Sequence, residues 1–177
     1  MKLLLHTCCA PCLIYPLEKL SLEGFKVTGF FYNPNIHPLA EYIKRREALA
    51  VLGSAIEIIY PEYSPRDFFR AVNLQEAAPE RCVLCWRLRL KKTAQAAKGS
   101  GFQYFTTTLL VSPYQDQELL KKIGSEVGKE EGVEFYYADF RPGFRQAHNE
   151  ARAKGVYCQK YCGCIYSGIE RSIKKNE

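Results

Sequence analysis

Apolar and polar positions along the chain follow two alternating rhythms. Short apolar or β-branched runs fall at residues 2–6, 26–32, 55–60, 102–109 and 133–140. Between them, residues 13–23, 41–52, 66–72, 84–98 and 115–131 carry apolar side chains at helical spacing. Gly24, Gly53, Gly101 and Gly132 stand just beyond four of these stretches, where a helix C-cap belongs. Strands alternating with capped helices predict one α/β domain: five parallel strands with helices covering both faces. Neither a linker nor a repeat interrupts the pattern. Residues 141–177 read as a helical segment, two helices around a cysteine-rich turn, packed on the domain.

A length of 177 residues is enough for one core, and 47% apolar with 25% charged residues is an ordinary globular balance. The longest apolar runs are too short and too polar to span a bilayer. The start, Met1-Lys2-Leu3-Leu4-Leu5-His6, falls short of the roughly 7–15 apolar residues of a signal peptide. A cytoplasmic protein without a membrane partner is therefore expected. This changes how the eight cysteines read. In a reducing compartment, clustered cysteines point to metal binding or redox chemistry more than to a disulfide framework. The formal charge of +6 suits an anionic partner.

In open parallel sheets, ligand chemistry gathers at the carboxyl ends of the strands. Cys8, Cys9 and Cys12 follow the first strand and Asn33 to Pro38 follow the second. Thr106, Thr107 and Thr108 close the fourth, and Asp139 closes the fifth. All are predicted on one edge.

Three cysteine clusters need a role: Cys8-Cys9-Ala10-Pro11-Cys12, Cys82-Val83-Leu84-Cys85, and Cys158 with Cys162-Gly163-Cys164. Two Cys-x-x-Cys pairs from distant segments can close a four-sulfur site for zinc, and iron–sulfur clusters use the same thiolates. Arg81 and Arg87 flank the second pair and favour thiolates there. Three readings stand side by side: an iron enzyme, a zinc-binding module that interacts with tRNA, and a thiol–disulfide oxidoreductase working through Cys9 and Cys12. Against the last, Cys8 would offer a wrong pairing partner, and five parallel strands do not suit that fold. Cys158 reads as a buried small hydrophobe. Cys162 and Cys164 allow either a redox relay, with a strained and reducible bond, or a ligand role.

Taken together, these segments resemble the QueH family of cobalamin-independent epoxyqueuosine reductases. The residues that carry the resemblance are Leu4-Leu5-His6-Thr7-Cys8-Cys9-Ala10-Pro11-Cys12, Phe31-Tyr32-Asn33-Pro34-Asn35-Ile36-His37-Pro38 and Arg81-Cys82 with Cys85, Arg87, Leu88, Arg89 and Leu90. Further along are Phe105 to Leu110, Ser112-Pro113-Tyr114-Gln115, Asp139-Phe140-Arg141 and Gln159-Lys160-Tyr161-Cys162-Gly163-Cys164.

The resemblance implies a three-layer fold related to adenine-nucleotide-binding (HUP-like) domains. Cysteines stand here in place of a phosphate loop after the first strand. It implies reduction of the epoxide of epoxyqueuosine to an alkene at the tRNA wobble position, the last step of queuosine synthesis. It also implies a 4Fe–4S cluster with an additional iron or other divalent ion nearby. On that basis Cys9, Cys82 and Cys85 are expected to hold the cluster, with Cys8 and Cys12 joining it or the second metal. Asp139 suits that second metal as a hard oxygen donor, or else pairs with Arg141. His37 and Tyr114 are candidates for proton supply or for holding the base. Arg81, Arg87, Arg89, Arg141 and Lys160 are candidates for tRNA phosphates. Tyr32, Trp86 and Tyr161 could stack an extruded base. The electron donor is not identified by the sequence.

Overall fold

The computed structural model describes residues 1–52 and 56–176. Its centre is β1 (Lys2–His6), whose Leu3, Leu4 and Leu5 are fully buried. A strand covered on both faces has no polar side to offer, which is why this run is continuously apolar. β1 pairs in parallel with β2 (Lys26–Phe30) on one side and β4 (Tyr104–Thr107) on the other. The edges are β3 (Ile58–Ile59) and β5 (Glu134–Phe135), giving the order β3-β2-β1-β4-β5 with every pair parallel.

Both edge strands are shorter than the apolar runs that predict them. Each has one neighbour, and its ladder ends where the chain turns away. After Phe135 the chain runs through Asp139 into a 3-10 turn at Arg141–Gly143 instead of extending β5.

Five helices connect the strands: α1 (Ala10–Leu22), α2 (Leu39–Leu52), α3 (Pro65–Val72), α4 (Glu80–Gly99) and α5 (Gln117–Glu131). α6 (Phe144–Ala153) and α7 (Ile165–Asn176) complete the chain. α1 starts at Ala10, earlier than its apolar spacing suggests, because Pro11 suits the first helical turn. α4 starts four residues before its predicted boundary, so Cys82 and Cys85 lie on one helical face, three residues apart. At the N-terminus of α5, Asp116 accepts from the Leu119 N–H at 2.9 Å. Gly24, Gly101 and Gly132 adopt φ of +83°, +71° and +72°, as C-caps require. Gly53 and Ala55 lie outside the described residues.

α4 and α5 pack on each other, with α4 against β1 and β4, while α1 packs on β2, α2 and α6. Helices thus cover both faces. Among the described residues, no helix is long and apolar enough to cross a membrane.

The edge next to α5 is packed through a glycine. A Cβ added at Gly128 would stand 2.7 Å from the Val133 carbonyl oxygen. Gly128→Ala is expected to lower stability by about 1–3 kcal/mol in urea unfolding, since backbone must shift. Gly99→Ala, with nothing within 4 Å of the new methyl, is expected to be neutral or stabilising.

Candidate active site

The carboxyl ends of the strands do converge. The Thr108 hydroxyl accepts from the Cys8 N–H at 3.1 Å and lies 3.3 Å from Cys8 Sγ, joining the turns after β1 and β4. Asn33, after β2, donates to the Thr7 carbonyl at 2.9 Å. Here Cys8, Cys9 and Cys12 form a buried trio whose sulfurs all lie within 4.8 Å of one another, Cys8 and Cys9 at 3.7 Å. Cys9 is the N-cap of α1 and Cys12 sits in its first turn. The Cys9 side chain makes no cap hydrogen bond to the helix backbone, so the sulfurs stay turned toward one another.

Charge is distributed unequally over the trio. Hydrogen bonds from Cys12, Cys9 and Thr108 hold the Cys8 thiol well below its usual range despite burial. Burial pushes Cys9 up, and the bond to Cys8 pushes Cys12 up. Cys8 is therefore the most acidic of the three thiols. Gln159 covers it from the C-terminal segment, its amide nitrogen 2.8 Å from Cys9 Sγ and 3.9 Å from Cys12 Sγ.

Cys82 and Cys85 do not join the trio. Cys85 packs with Phe68, Val72 and Cys164 in a separate apolar cluster, which lifts its pKa to about 12, chiefly by burial. The charges of Cys162, Cys164 and Cys82 add to that rise. Cys162 and Cys164 are free thiols. Cys162 keeps an exposed surface, yet the protein around it and the nearby Cys164 and Cys8 raise its pKa. Cys158 is half-buried, its Sγ facing the Val156 carbonyl.

A cavity of about 790 Å³ opens onto both groups, its wall including Cys8, Cys12, Cys158 and Cys162. Arg145, Arg152, Lys160 and Arg171 ring it, and among the described residues no carboxylate lines it. Tyr114 projects into solvent at its rim, edge-on to Phe144. His148 also lines the cavity. Its Nδ1 lies 3.0 Å from the Phe144 carbonyl, so Nδ1–H donates and Nε2 is left available.

Other sequence-derived candidates stand elsewhere. Both carboxylate oxygens of Asp139 are engaged by Arg141, at 2.8 Å from Nε and 2.6 Å from Nη2. That ion pair holds the Asp139 carboxyl below its usual range and keeps it out of the trio. His37 is wedged against Phe68 and Phe69. Its Nδ1 accepts from the Ile165 N–H at 3.3 Å, and its backbone N–H donates to the Gly163 carbonyl at 2.8 Å. It braces the turn before α7 and does not line the thiol cavity. Tyr32 and Trp86 are core side chains, so neither offers a free face to a base; Tyr161 does line the cavity.

The cationic helix also differs from a solvated face. Arg81 and Arg89 are buried. Arg81 bonds Glu170 at 2.9 and 3.1 Å, and Arg87 pairs with Glu126 and Glu130. Lys160 remains exposed at the cavity.

Arg45 is a site residue that sequence reasoning missed. Fully buried, it bonds Glu41 at 2.8 Å and donates to the carbonyls of Cys162 at 2.9 Å and Tyr161 at 3.0 Å. Tyr157 closes the set on Glu41 at 2.7 Å. Gly163 takes φ +140° inside this grip, where a Cβ would meet Ile36, Asn35 and Arg45 at 3.1–3.3 Å. His6 is buried too, bonded to Thr107 at 2.9 Å. Burial and the charge of Arg89 lower its pKa to about 4, so it stays neutral.

Comparison with known proteins decides the family. A family model described as epoxyqueuosine reductase QueH matches residues 3–170. The chain belongs to the QueH family. Curated relatives of that name include one from Dehalococcoides mccartyi, 38% identical over 99% of this chain and 97% of its own. Another, from Thermotoga maritima, is 37% identical over 98% and 94%. Among solved structures, a "predicted subunit of tRNA methyltransferase" from Methanocaldococcus jannaschii superposes with a TM-score of 0.58 at 9% identity. It covers 86% of this chain and 76% of its own, and shows the fold alone. Membership makes the protein an oxidoreductase whose family acts on a tRNA base, and the trio is a group of donors able to hold a metal ion.

The Arg45 grip yields a test. Arg45→Met leaves the buried Glu41 with its tyrosine but without its cation and should cost about 3–5 kcal/mol in chemical denaturation. Alkylation of Cys162 by iodoacetamide should be faster than in wild type, with Arg45→Lys in between.

Proposed function

We propose that this QueH protein reduces epoxyqueuosine in tRNA to queuosine through an iron–sulfur unit seated on Cys8, Cys9 and Cys12. The carrying observation is a buried thiol trio opening onto a cationic cavity free of carboxylates. Two electrons and two protons convert the epoxide to an alkene and release its oxygen as water. Soft thiolates at this spacing suit iron or an iron–sulfur cluster, which when bound supplies electrons and a Lewis acid. A full ligand set needs further donors, and Cys82, Cys85, Cys162 and Cys164 supply them. A separate second metal at Asp139 would require release of Arg141.

The chain's own groups divide the remaining work. Thr108 and Gln159 keep the sulfurs hydrogen-bonded and exclude water from the floor. Arg145, Arg152, Lys160 and Arg171 meet tRNA phosphates at the rim. Tyr114 offers a face to an extruded base of the anticodon loop. As an imidazolium, His148 would give the Nε2 proton to the leaving oxygen while its Nδ1–H stays on the Phe144 carbonyl. Support for the anionic partner is the lining itself, whose charged side chains are all cations.

Protein purified without air should carry iron and sulfide and absorb in the visible, and reduced protein should convert epoxyqueuosine-containing tRNA. Cys8→Ser and Cys12→Ser should lose the colour and the conversion. A colourless protein that holds zinc and converts nothing would exclude the assignment. Arg152→Ala with Lys160→Ala should weaken tRNA binding and lower the slope of log K against log salt by about 1 per lost phosphate contact. Iron content should be unchanged in that double variant.

A further inference from the structure

Three arginines are buried among the described residues: Arg45, Arg81 and Arg89. The first holds Glu41 and two carbonyls, and the second holds Glu170. Arg89 has no carboxylate. It is 1% exposed, its Nε reaches the Cys85 carbonyl at a long 3.4 Å, and its Nη2 is buried without a partner. A guanidinium cannot shed its proton to escape this position. An uncompensated charge in the interior costs several kcal/mol, so such a group is retained where an anion faces it.

What faces Arg89 is sulfur. It lines the cavity wall with Cys8, Cys12 and Cys162, and its backbone sits one helical turn beyond Cys85. The negative forms of Cys85, Cys162, Cys8 and Cys164 all act on its charge. Arg89 is thus the common neighbour of two cysteine groups that do not touch each other. Although it lines the cavity, its 1% exposure leaves little of it open to tRNA phosphates.

We propose that Arg89 is the counter-charge of the sulfur site, a positioning residue that holds its ligands anionic and favours the more negative redox state of whatever they bind. The inference rests on the iron–sulfur reading above. Adding an electron to a thiolate-ligated centre raises its negative charge, and a fixed cation on the same cavity wall offsets that rise in a low-dielectric interior. Removing the cation therefore makes the centre harder to reduce. The same removal relieves the ligand-free protein of an unpaired charge, and this distinguishes the proposal from a packing role.

The test compares wild type, Arg89→Met and Arg89→Lys, each ligand-free and reconstituted without air with iron and sulfide. Ligand-free Arg89→Met should melt at or above the ligand-free wild type. Once reconstituted, its midpoint potential should fall by at least about 59 mV, a tenfold loss in the one-electron reduction equilibrium, while Arg89→Lys stays within that margin. A folded Arg89→Met that takes up no iron while its ligand-free melting is undiminished also supports the proposal. A potential unchanged in Arg89→Met, or shifted equally in Arg89→Lys, overturns it. So does a marked drop in ligand-free melting temperature for Arg89→Met, which would assign Arg89 to packing. Should Arg89→Met not accumulate as folded protein, Arg89→Gln is read by the same criteria. If wild type takes up no iron, the iron–sulfur reading itself fails, and the ligand-free melting comparison still judges the role of Arg89.

Discussion

Sulfur anions persist inside a protein only where charge and hydrogen bonds replace the water they have lost, and the architecture is arranged around that requirement. The trio lies at the end of the most deeply buried strand, on the first turn of a helix. Thr108 reaches it from the neighbouring strand and Gln159 from the opposite end of the sequence. Each supplies a polar atom where the core otherwise offers leucine and phenylalanine. Withdrawal of any of them leaves a charged or polar sulfur facing hydrocarbon, at a cost of a few kcal/mol.

The unmet polar atoms of the interior have a similar distribution. Besides Arg81 and Gln117, the residues with a buried oxygen or nitrogen lacking a partner are Asn33, Asn35, His37, Thr106, Arg89 and Gln159. All lie in the loops after the strands, in β4, or in elements lining the thiol cavity. Interiors normally satisfy such atoms. The middle of the sheet is mostly apolar, with Leu3, Leu4, Leu5 and Phe105 buried around Thr28. Stability comes from the middle, and the binding potential is held at the rim.

Sequence reasoning located the central strands and the helices well, because burial on two faces imposes continuous apolar runs and burial on one imposes a 3.6-residue period. It overestimated both edge strands, since apolar residues there pack on helices without pairing in a ladder. The trio and the converging strand ends were legible from order alone. The arginines were not. Arg81, Cys85 and Arg89 recur at four-residue intervals, and so do Glu41 and Arg45. Charges at such spacing ordinarily mark a wet helix face. What turns these inward are Glu170 and the carbonyls of Tyr161 and Cys162, 89 to 117 residues away in sequence. Asp139 takes the second of the two roles open to it in the sequence, a local ion pair with Arg141 two residues on.

The clasp of Arg45 on the backbone of Tyr161 and Cys162 also has a consequence for the architecture of the chain. The C-terminal segment from residue 157 cannot be regarded as an appendage to a finished α/β body. A polypeptide clipped ahead of Tyr157 would leave Glu41 without its tyrosine and Arg45 without both carbonyls. Proteolytic fragments ending there should behave as unfinished folds, and the site becomes a monitor of whether the whole molecule has closed.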